Sequence, residues 1–210
     1  MDHLLEAVRK SVESRNWEAA LLVAINLPDV CAKLEGIESQ KKPKVSRYVI
    51  WARKWLEPNY TREMPVRVPP APKQVPFNFN SDEWKEYERL NYLRRQFLGK
   101  TEPHVFISAE DLYALRCAFT HAAHHDLSEQ RIGQSLSSFE IRAPVGDSFI
   151  HLNKSFSKGS NGEDISIVQI QVDVFCHEIC DAVECWRIEN DGNAVLQEAI
   201  NRMPRIVPFY

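Results

Sequence analysis

Arg116 and His121 are the residues whose types and spacing are best suited to chemistry on an anion. A guanidinium keeps its positive charge at any ordinary pH, whereas an imidazole exchanges protons near neutrality. Together they could hold an anion and move a proton to or from it. We therefore treat Arg116 and His121 as the candidate catalytic residues.

The segment that carries this pair is predicted to be a helix over 109–123. It begins at a sequence resembling a capping box, Ser108-Ala-Glu-Asp111, with Asp in the last position. Residues five apart on a helix are rotated by about 140°. The two side chains therefore converge only if the helix ends between them, if Arg116 reaches around it, or if a second copy of the helix faces the first.

Ordinary structural roles for the pair stay open at this point. Arg116 could form an ion pair with Glu110, Asp111 or an acidic residue in 173–189, and His121 could cap the helix C-terminus. A role in binding phosphate without turnover is a third possibility.

Five further residues are candidate substrate-binding residues: Tyr113, Thr120, His124, Arg94 and Arg95. Tyr113 and Thr120 share the predicted helix with the pair, and His124 follows near its end, where histidines are commonly solvent-exposed. Arg94 and Arg95 are predicted on the outer face of a helix over 82–98. Residues 41–100 carry 14 Lys and Arg against 6 Asp and Glu, whereas residues 101–210 carry 8 against 16. This contrast suits either a polyanion-binding face or two faces that attract each other.

The cysteines and histidines predict no metal site, and no cofactor is predicted. Cys176 and Cys180 lie one helical turn apart beside His177, but no second cysteine pair completes a zinc site. These cysteines are predicted to pack in the core. Phosphate-binding loops, nucleotide-binding glycine motifs and the common hydrolase motifs are absent from the sequence.

The composition indicates a globular protein of the reducing cytoplasm. The chain has 210 residues, 44% of them hydrophobic, and an odd number of cysteines, 5, with no CxxC pair. Its longest apolar run, 19–25, is too short to cross a membrane. No membrane association is expected.

Apolar periodicity predicts a mainly α fold with a small antiparallel β element, α+β by count. The predicted helices are 2–14, 17–26, 29–34, 45–56, 82–98, 109–123, 173–189 and 193–203, and the predicted strands are 139–142, 149–152 and 165–172. Residues 58–80 contain six prolines and no glycine, which predicts a stiff, extended segment. We expect a single domain over 1–210 that includes this segment.

Five stretches of the chain resemble the HEPN superfamily (higher eukaryotes and prokaryotes nucleotide-binding). Residues 115–121, LRCAFTH, resemble its R-x4-6-H signature helix. The other stretches resemble uncharacterised bacterial HEPN-like proteins, and they are 27–35 (LPDVCAKLE), 47–51 (RYVIW), 172–176 (VDVFC) and 182–186 (AVECW).

The resemblance implies a HEPN-like helical bundle and a homodimer that pairs the signature helices. In active branches it also implies metal-independent RNA cleavage. His121 would then be the general acid and base at the ribose 2′-OH and the leaving oxygen, and Arg116 would hold the scissile phosphate. Cys117 departs from the pattern, because active members often carry Asn, Asp or His there.

Three functional hypotheses follow. The first is a HEPN-like endoribonuclease of a host-defence or toxin type, with an antitoxin or defence partner. The second is a non-catalytic HEPN-like dimeric module that binds nucleic acid or a partner protein. The third is an unrelated helical fold in which the R-x4-H pair is accidental.

Overall fold

A computed structural model describes residues 1–41, 44–68, 70–76, 78, 81–122, 138–146, 148–158, 162 and 164–205. For residues 121, 122, 138, 156, 157 and 164–166 only the backbone is described. The chain divides into two compact units, a larger one of residues 1–60 and 106–210 and a smaller one of residues 61–105.

The described helices follow the predicted order along the chain. They are α1 Asp2–Glu13, α2 Trp17–Ala24, α3 Leu27–Leu34, α4 Arg47–Trp55, α5 Asp82–Phe97, α6 Ala109–Cys117, α7 Val172–Glu189 and α8 Ala194–Asn201. A 3-10 turn, Glu57–Tyr60, follows α4, and a π-helical turn, Ala118–Ala122, continues α6. Together with small sheets, these helices give the predicted α+β class.

Short polar residues begin several of these helices at the positions that capping requires. The side chains of Asn16, Ser46, Ser81 and Asn193 each accept a hydrogen bond from a backbone N–H in the first turn of α2, α4, α5 and α8. A side chain in this position satisfies a donor that has no partner within the helix. The start of each of these helices is therefore fixed by local sequence.

The core of the larger unit is built around α7, which packs against α1, α2, α3 and α4. Its buried side chains recur every three or four residues, and they are Val172, Phe175, Cys176, Ile179, Cys180, Ala182, Val183 and Trp186. Trp51 of α4 meets Trp186 edge to face, with ring centroids 6.3 Å apart. Burial of each large apolar side chain stabilises the fold by about 1.5–3 kcal/mol.

Seven strands are described: β1 Gln40–Lys41, β2 Lys44–Val45, β3 Thr61–Pro65, β4 Thr101–Val105, β5 Ser138–Arg142, β6 Asn153–Lys158 and β7 Asp164–Gln171. β1 pairs with β2 and β3 with β4, both antiparallel. The last three strands form one sheet in the order β5-β7-β6.

This three-stranded sheet corrects the prediction of a purely antiparallel element. β6 and β7 are antiparallel, but β5 runs parallel to β7. β6 lies on the far side of β7 from β5, so the chain passes beyond the position of β7 before it returns. Residues 149–152, predicted as a strand, precede β6 instead, and Leu152 has a positive φ of 57° that ends any extended run there.

The smaller unit consists of β3, β4 and α5. β3 occupies residues 61–65 of the predicted proline-rich segment 58–80, where its pairing with β4 was not anticipated. No residue of α5 is fully buried, and the rings of Trp84 and Tyr87 stack with centroids 5.3 Å apart. On α5, Arg94 is half-buried and Arg95 is exposed.

Candidate functional site

Arg116 lies in the last α-helical turn of α6, directly before the π-helical turn. Its Nε donates a hydrogen bond to Asn26 Oδ1 over 3.0 Å, and its Nη2 lies 3.7 Å from Asp29 Oδ2. Asn26 is held in turn, because its Nδ2 donates to the carbonyl of Leu22 over 2.8 Å. The Arg116 side chain is 19% exposed, so the guanidinium is oriented but not sealed from solvent.

Asp29 joins Arg116 to a second arginine, Arg47, at the start of α4. Arg47 donates from Nε to Asp29 Oδ1 over 2.9 Å and from Nη2 to Asp29 Oδ2 over 3.1 Å. This bidentate geometry is the strong form of an arginine–carboxylate pair. The hydrogen bonds that Arg47 donates to the Asp29 carboxylate raise the pKa of Arg47. One carboxylate therefore lies between two guanidinium groups, which leaves the cluster a net positive charge.

Two tyrosines line the inner side of this cluster. The Arg116 guanidinium lies 5.9 Å from the centroid of the Tyr48 ring, within the range of a cation–π contact. Tyr48 is fully buried, burial raises the pKa of its phenol, and its hydroxyl makes no hydrogen bond with the described residues. The Tyr113 ring lies 5.7 Å from that of Tyr48, and burial followed by the nearby Cys117 thiol raises the pKa of Tyr113.

The helix changes from α to π directly after Cys117. Thr120 Oγ1 donates to the backbone carbonyl of Arg116 over 2.7 Å, which supports the change by satisfying that carbonyl from the side chain. Single π turns inside α-helices occur frequently at functional sites. The backbone of His121 lies in this turn, Ala118–Ala122. The His121 side chain and all of His124 lie outside the described residues, so the geometry of the Arg116–His121 pair stays a prediction.

The ion-pair partners of Arg116 differ from those expected from sequence. Glu110 pairs with Arg53 instead, and Asp111 completes the capping box by accepting from the Ser108 backbone N–H over 3.0 Å. Arg116 instead forms an ion pair with Asp29 of α3, which is distant in sequence. Arg94 and Arg95 belong to the smaller unit.

Asn26, Asp29 and Arg47 are the residues of this site that the sequence did not single out individually. A signal was present, since Asp29 lies in the stretch 27–35 and Arg47 begins the stretch 47–51. The structure connects these stretches to the signature helix through Asp29 and to the stretch 182–186 through Glu35, whose Oε2 accepts from Trp186 Nε1 over 2.8 Å. Four of the five segments that carry the resemblance, 27–35, 47–51, 115–121 and 182–186, thus contact one another through polar side chains.

The His151 side chain is buried elsewhere in the larger unit, and both of its ring nitrogens are engaged. His151 Nδ1 accepts from the Gln171 backbone N–H over 3.2 Å, and His151 Nε2 lies 3.0 Å from Glu178 Oε2. With both ring nitrogens in use, His151 links the start of α7 to the loop before β6. It is therefore a structural residue in this state.

The cysteines show no arrangement for binding a metal. Cys176 and Cys180 are buried, and burial raises the pKa of Cys176 to about 12 and that of Cys180 to about 11. Thiols in such surroundings are poor metal ligands and poor nucleophiles. Within the described part of the chain, no three His, Cys, Asp or Glu side chains form a group that could hold a metal ion.

Comparison of the chain with protein-family models, curated proteins and solved structures finds no match. Among the helices that the structure describes, none combines the length and apolar character needed to cross a membrane.

Proposed function

We propose that this chain is a cytoplasmic, HEPN-like, metal-independent endoribonuclease that works as a homodimer. The observation that supports the proposal best is the shared carboxylate of Asp29, which holds Arg47 and Arg116 side by side. Two guanidinium groups on one carboxylate leave one positive charge unbalanced. A phosphodiester carries one negative charge, and guanidinium groups recognise it through paired N–H donors.

In the proposed reaction, Arg116 binds the scissile phosphate and stabilises the charge that develops on its oxygens. His121 removes the proton from the ribose 2′-OH, and the 2′-oxygen attacks phosphorus. The bond from phosphorus to the 5′-oxygen breaks, and the protonated imidazole returns the proton to that oxygen. The products are a 2′,3′-cyclic phosphate and a 5′-hydroxyl, so no water or metal ion is consumed.

The dimer is part of the proposal because the HEPN resemblance implies a homodimer that pairs the signature helices. Two signature helices brought together by a twofold axis would place two Arg116–His121 pairs along one groove. A partner of the antitoxin or host-defence type would act by covering that groove.

The decisive experiment measures cleavage of end-labelled RNA in EDTA. Arg116→Ala and His121→Ala are each expected to abolish cleavage while circular dichroism shows that both variants stay folded. Arg116→Ala also loses its hydrogen bond to Asn26 and its ion pair with Asp29, so it should unfold at a somewhat lower temperature than the wild type. Matched controls are Arg202→Ala, an exposed arginine of the C-terminal region, and His177→Ala, an exposed histidine of α7. Cleavage that persists in both site variants would overturn the assignment, as would a wild-type protein without activity on any RNA tested.

A second function, binding without cleavage, is favoured by two specific observations. Cys117 stands where active HEPN members often carry a polar residue, and Arg116 is already engaged by Asn26 and Asp29. A non-catalytic dimeric module would retain intact RNA on a filter, with affinity falling as salt rises. If the protein binds RNA in this way and Arg116→Ala weakens binding, but no product forms, the binding function replaces the nuclease.

A further inference from the structure

A cavity of about 770 Å³ opens beside the candidate site, between the β1–β2 hairpin, α4 and α6. Its lining includes Ser39, Lys41, Lys44, Val49, Glu110 and Tyr113. All of these residues belong to the larger unit. The volume lies in the range of about 300–1,000 Å³ that small-molecule and cofactor sites occupy.

The charge of the cavity favours an anion. Lys41 and Lys44 line it from the two strands of the hairpin, and the structure gives neither an acidic partner among the described residues. Glu110, the acidic residue of the lining, is neutralised by its ion pair with Arg53. The described lining therefore offers two positive charges that a bound anion can balance.

Tyr113 connects the cavity to the guanidinium cluster. It lies one helical turn before Arg116 on α6, and its ring contacts that of Tyr48, over which the Arg116 guanidinium lies. Burial raises the pKa of the Tyr113 phenol, which is uncharged at physiological pH even without that shift. An apolar floor of Val45, Val49 and a neutral aromatic ring suits a flat, uncharged group such as a nucleobase.

We propose that this cavity binds one nucleotide of a single-stranded RNA, next to the phosphate held by Arg116. The base stacks on Tyr113, and Lys41 and Lys44 bind the backbone phosphate that follows. This proposal rests on the proposed function for the position of the neighbouring phosphate. It adds a binding site for the base beside that phosphate, which a paired base could not enter to stack.

The test measures binding by fluorescence anisotropy with a labelled, short 2′-O-methyl oligouridylate, which cannot form the cyclic product. Tyr113→Ala is expected to weaken binding about 5- to 100-fold, the usual effect of losing one stacked base. Tyr113→Phe, which keeps the ring, should bind within about twofold of the wild type. Lys41→Glu and Lys44→Glu lie on an exposed hairpin and should weaken binding while reducing its salt dependence. Lys33→Ala, on an exposed part of α3, is the control.

The outcomes separate the cavity from the nuclease. If His121→Ala abolishes cleavage and binds the probe normally, while Tyr113→Ala loses binding, both proposals stand. If Arg116→Ala and His121→Ala leave cleavage intact but the cavity variants lose binding, the nuclease assignment fails and the cavity remains an RNA site.

If Tyr113→Ala binds as tightly as Tyr113→Phe, the stacking proposal is overturned. Binding of polyglutamate, a polyanion without bases, is measured beside that of RNA. If the lysine variants weaken binding of both polymers equally and Tyr113→Ala weakens neither, the surface binds anions in general and the proposal is wrong. Equal affinity for the single strand and its duplex would also overturn it.

Discussion

Asp29 and Arg47 form a bidentate pair in which each carboxylate oxygen accepts from a different guanidinium nitrogen, at 2.9 and 3.1 Å. The same carboxylate lies 3.7 Å from Nη2 of Arg116. α3, α4 and the end of α6 are thereby joined at one acidic side chain. Loss of that side chain would leave two guanidinium groups close together without their shared counter-charge.

We predict that Asp29→Ala lowers the free energy of unfolding by about 1–3 kcal/mol, because hydrogen bonds to charged groups and a partly buried ion pair are lost together. The two arginine side chains are 36% and 19% exposed, so solvent screening keeps the effect below that of a fully buried pair. Urea unfolding followed by circular dichroism measures the change. Asp181→Ala, on the exposed face of α7, serves as the control and should stay within about 0.5 kcal/mol of the wild type. Equal stabilities for the two variants would show that Asp29 does not hold these helices together.

Glu35, directly after the end of α3, links this helix to α7 through a hydrogen bond. Its Oε2 accepts from the indole N–H of Trp186, which is fully buried. Glu35→Ala leaves that donor unsatisfied, and we expect a loss of about 1–3 kcal/mol in the free energy of unfolding. Glu35→Gln keeps an acceptor and should recover most of the loss. Tryptophan fluorescence during urea unfolding gives both values, and a glutamine variant as unstable as the alanine variant would contradict the hydrogen-bond account.

The helices were predictable because their signals are local. Apolar spacing and capping residues such as Asn16, Ser81 and Ser108 indicate where a helix begins. Over the described residues 109–122, the prediction of a helix missed the change to π geometry after Cys117, which depends on how the Arg116 carbonyl is satisfied.

The partners of the site residues were not predictable from single segments. Arg116 has acidic neighbours six and five positions earlier, Glu110 and Asp111, yet its charge is met by Asp29 from a helix far earlier in the sequence. The prediction of a purely antiparallel sheet was wrong for the same reason. Alternation along 139–142 and 165–172 indicates strands, but it does not show which strands pair. The parallel pairing of β5 with β7 depends on contacts between distant segments.

The capping box at Ser108 tests how strongly local sequence fixes the helix that carries Arg116. Ser108 Oγ accepts from the Asp111 backbone N–H over 3.1 Å, and Asp111 is buried. We predict that Ser108→Ala lowers the free energy of unfolding by about 0.5–2 kcal/mol, the usual effect of losing an N-cap. Ser108→Thr keeps the hydroxyl and should lie within a few tenths of a kcal/mol of wild type. Thermal and urea unfolding should agree, and an unchanged alanine variant would mean that tertiary packing alone fixes the start of α6.

The cysteines give a prediction that depends on pKa. Cys185 is exposed, whereas Cys31, Cys176 and Cys180 are buried, and burial raises the pKa of Cys176 to about 12 and of Cys180 to about 11. Because only the thiolate reacts, about one Cys180 in a thousand is reactive at pH 8, before burial slows access further. Iodoacetamide at pH 8, read by peptide mass spectrometry, should therefore modify Cys185 first and leave the three buried thiols unmodified in the folded protein. Addition of urea should make all of them react at similar rates. Rapid modification of Cys176 or Cys180 before unfolding would show that α7 does not pack as the core helix. Because α3 and α4 pack against α7, that result would also contradict the arrangement that positions Asp29.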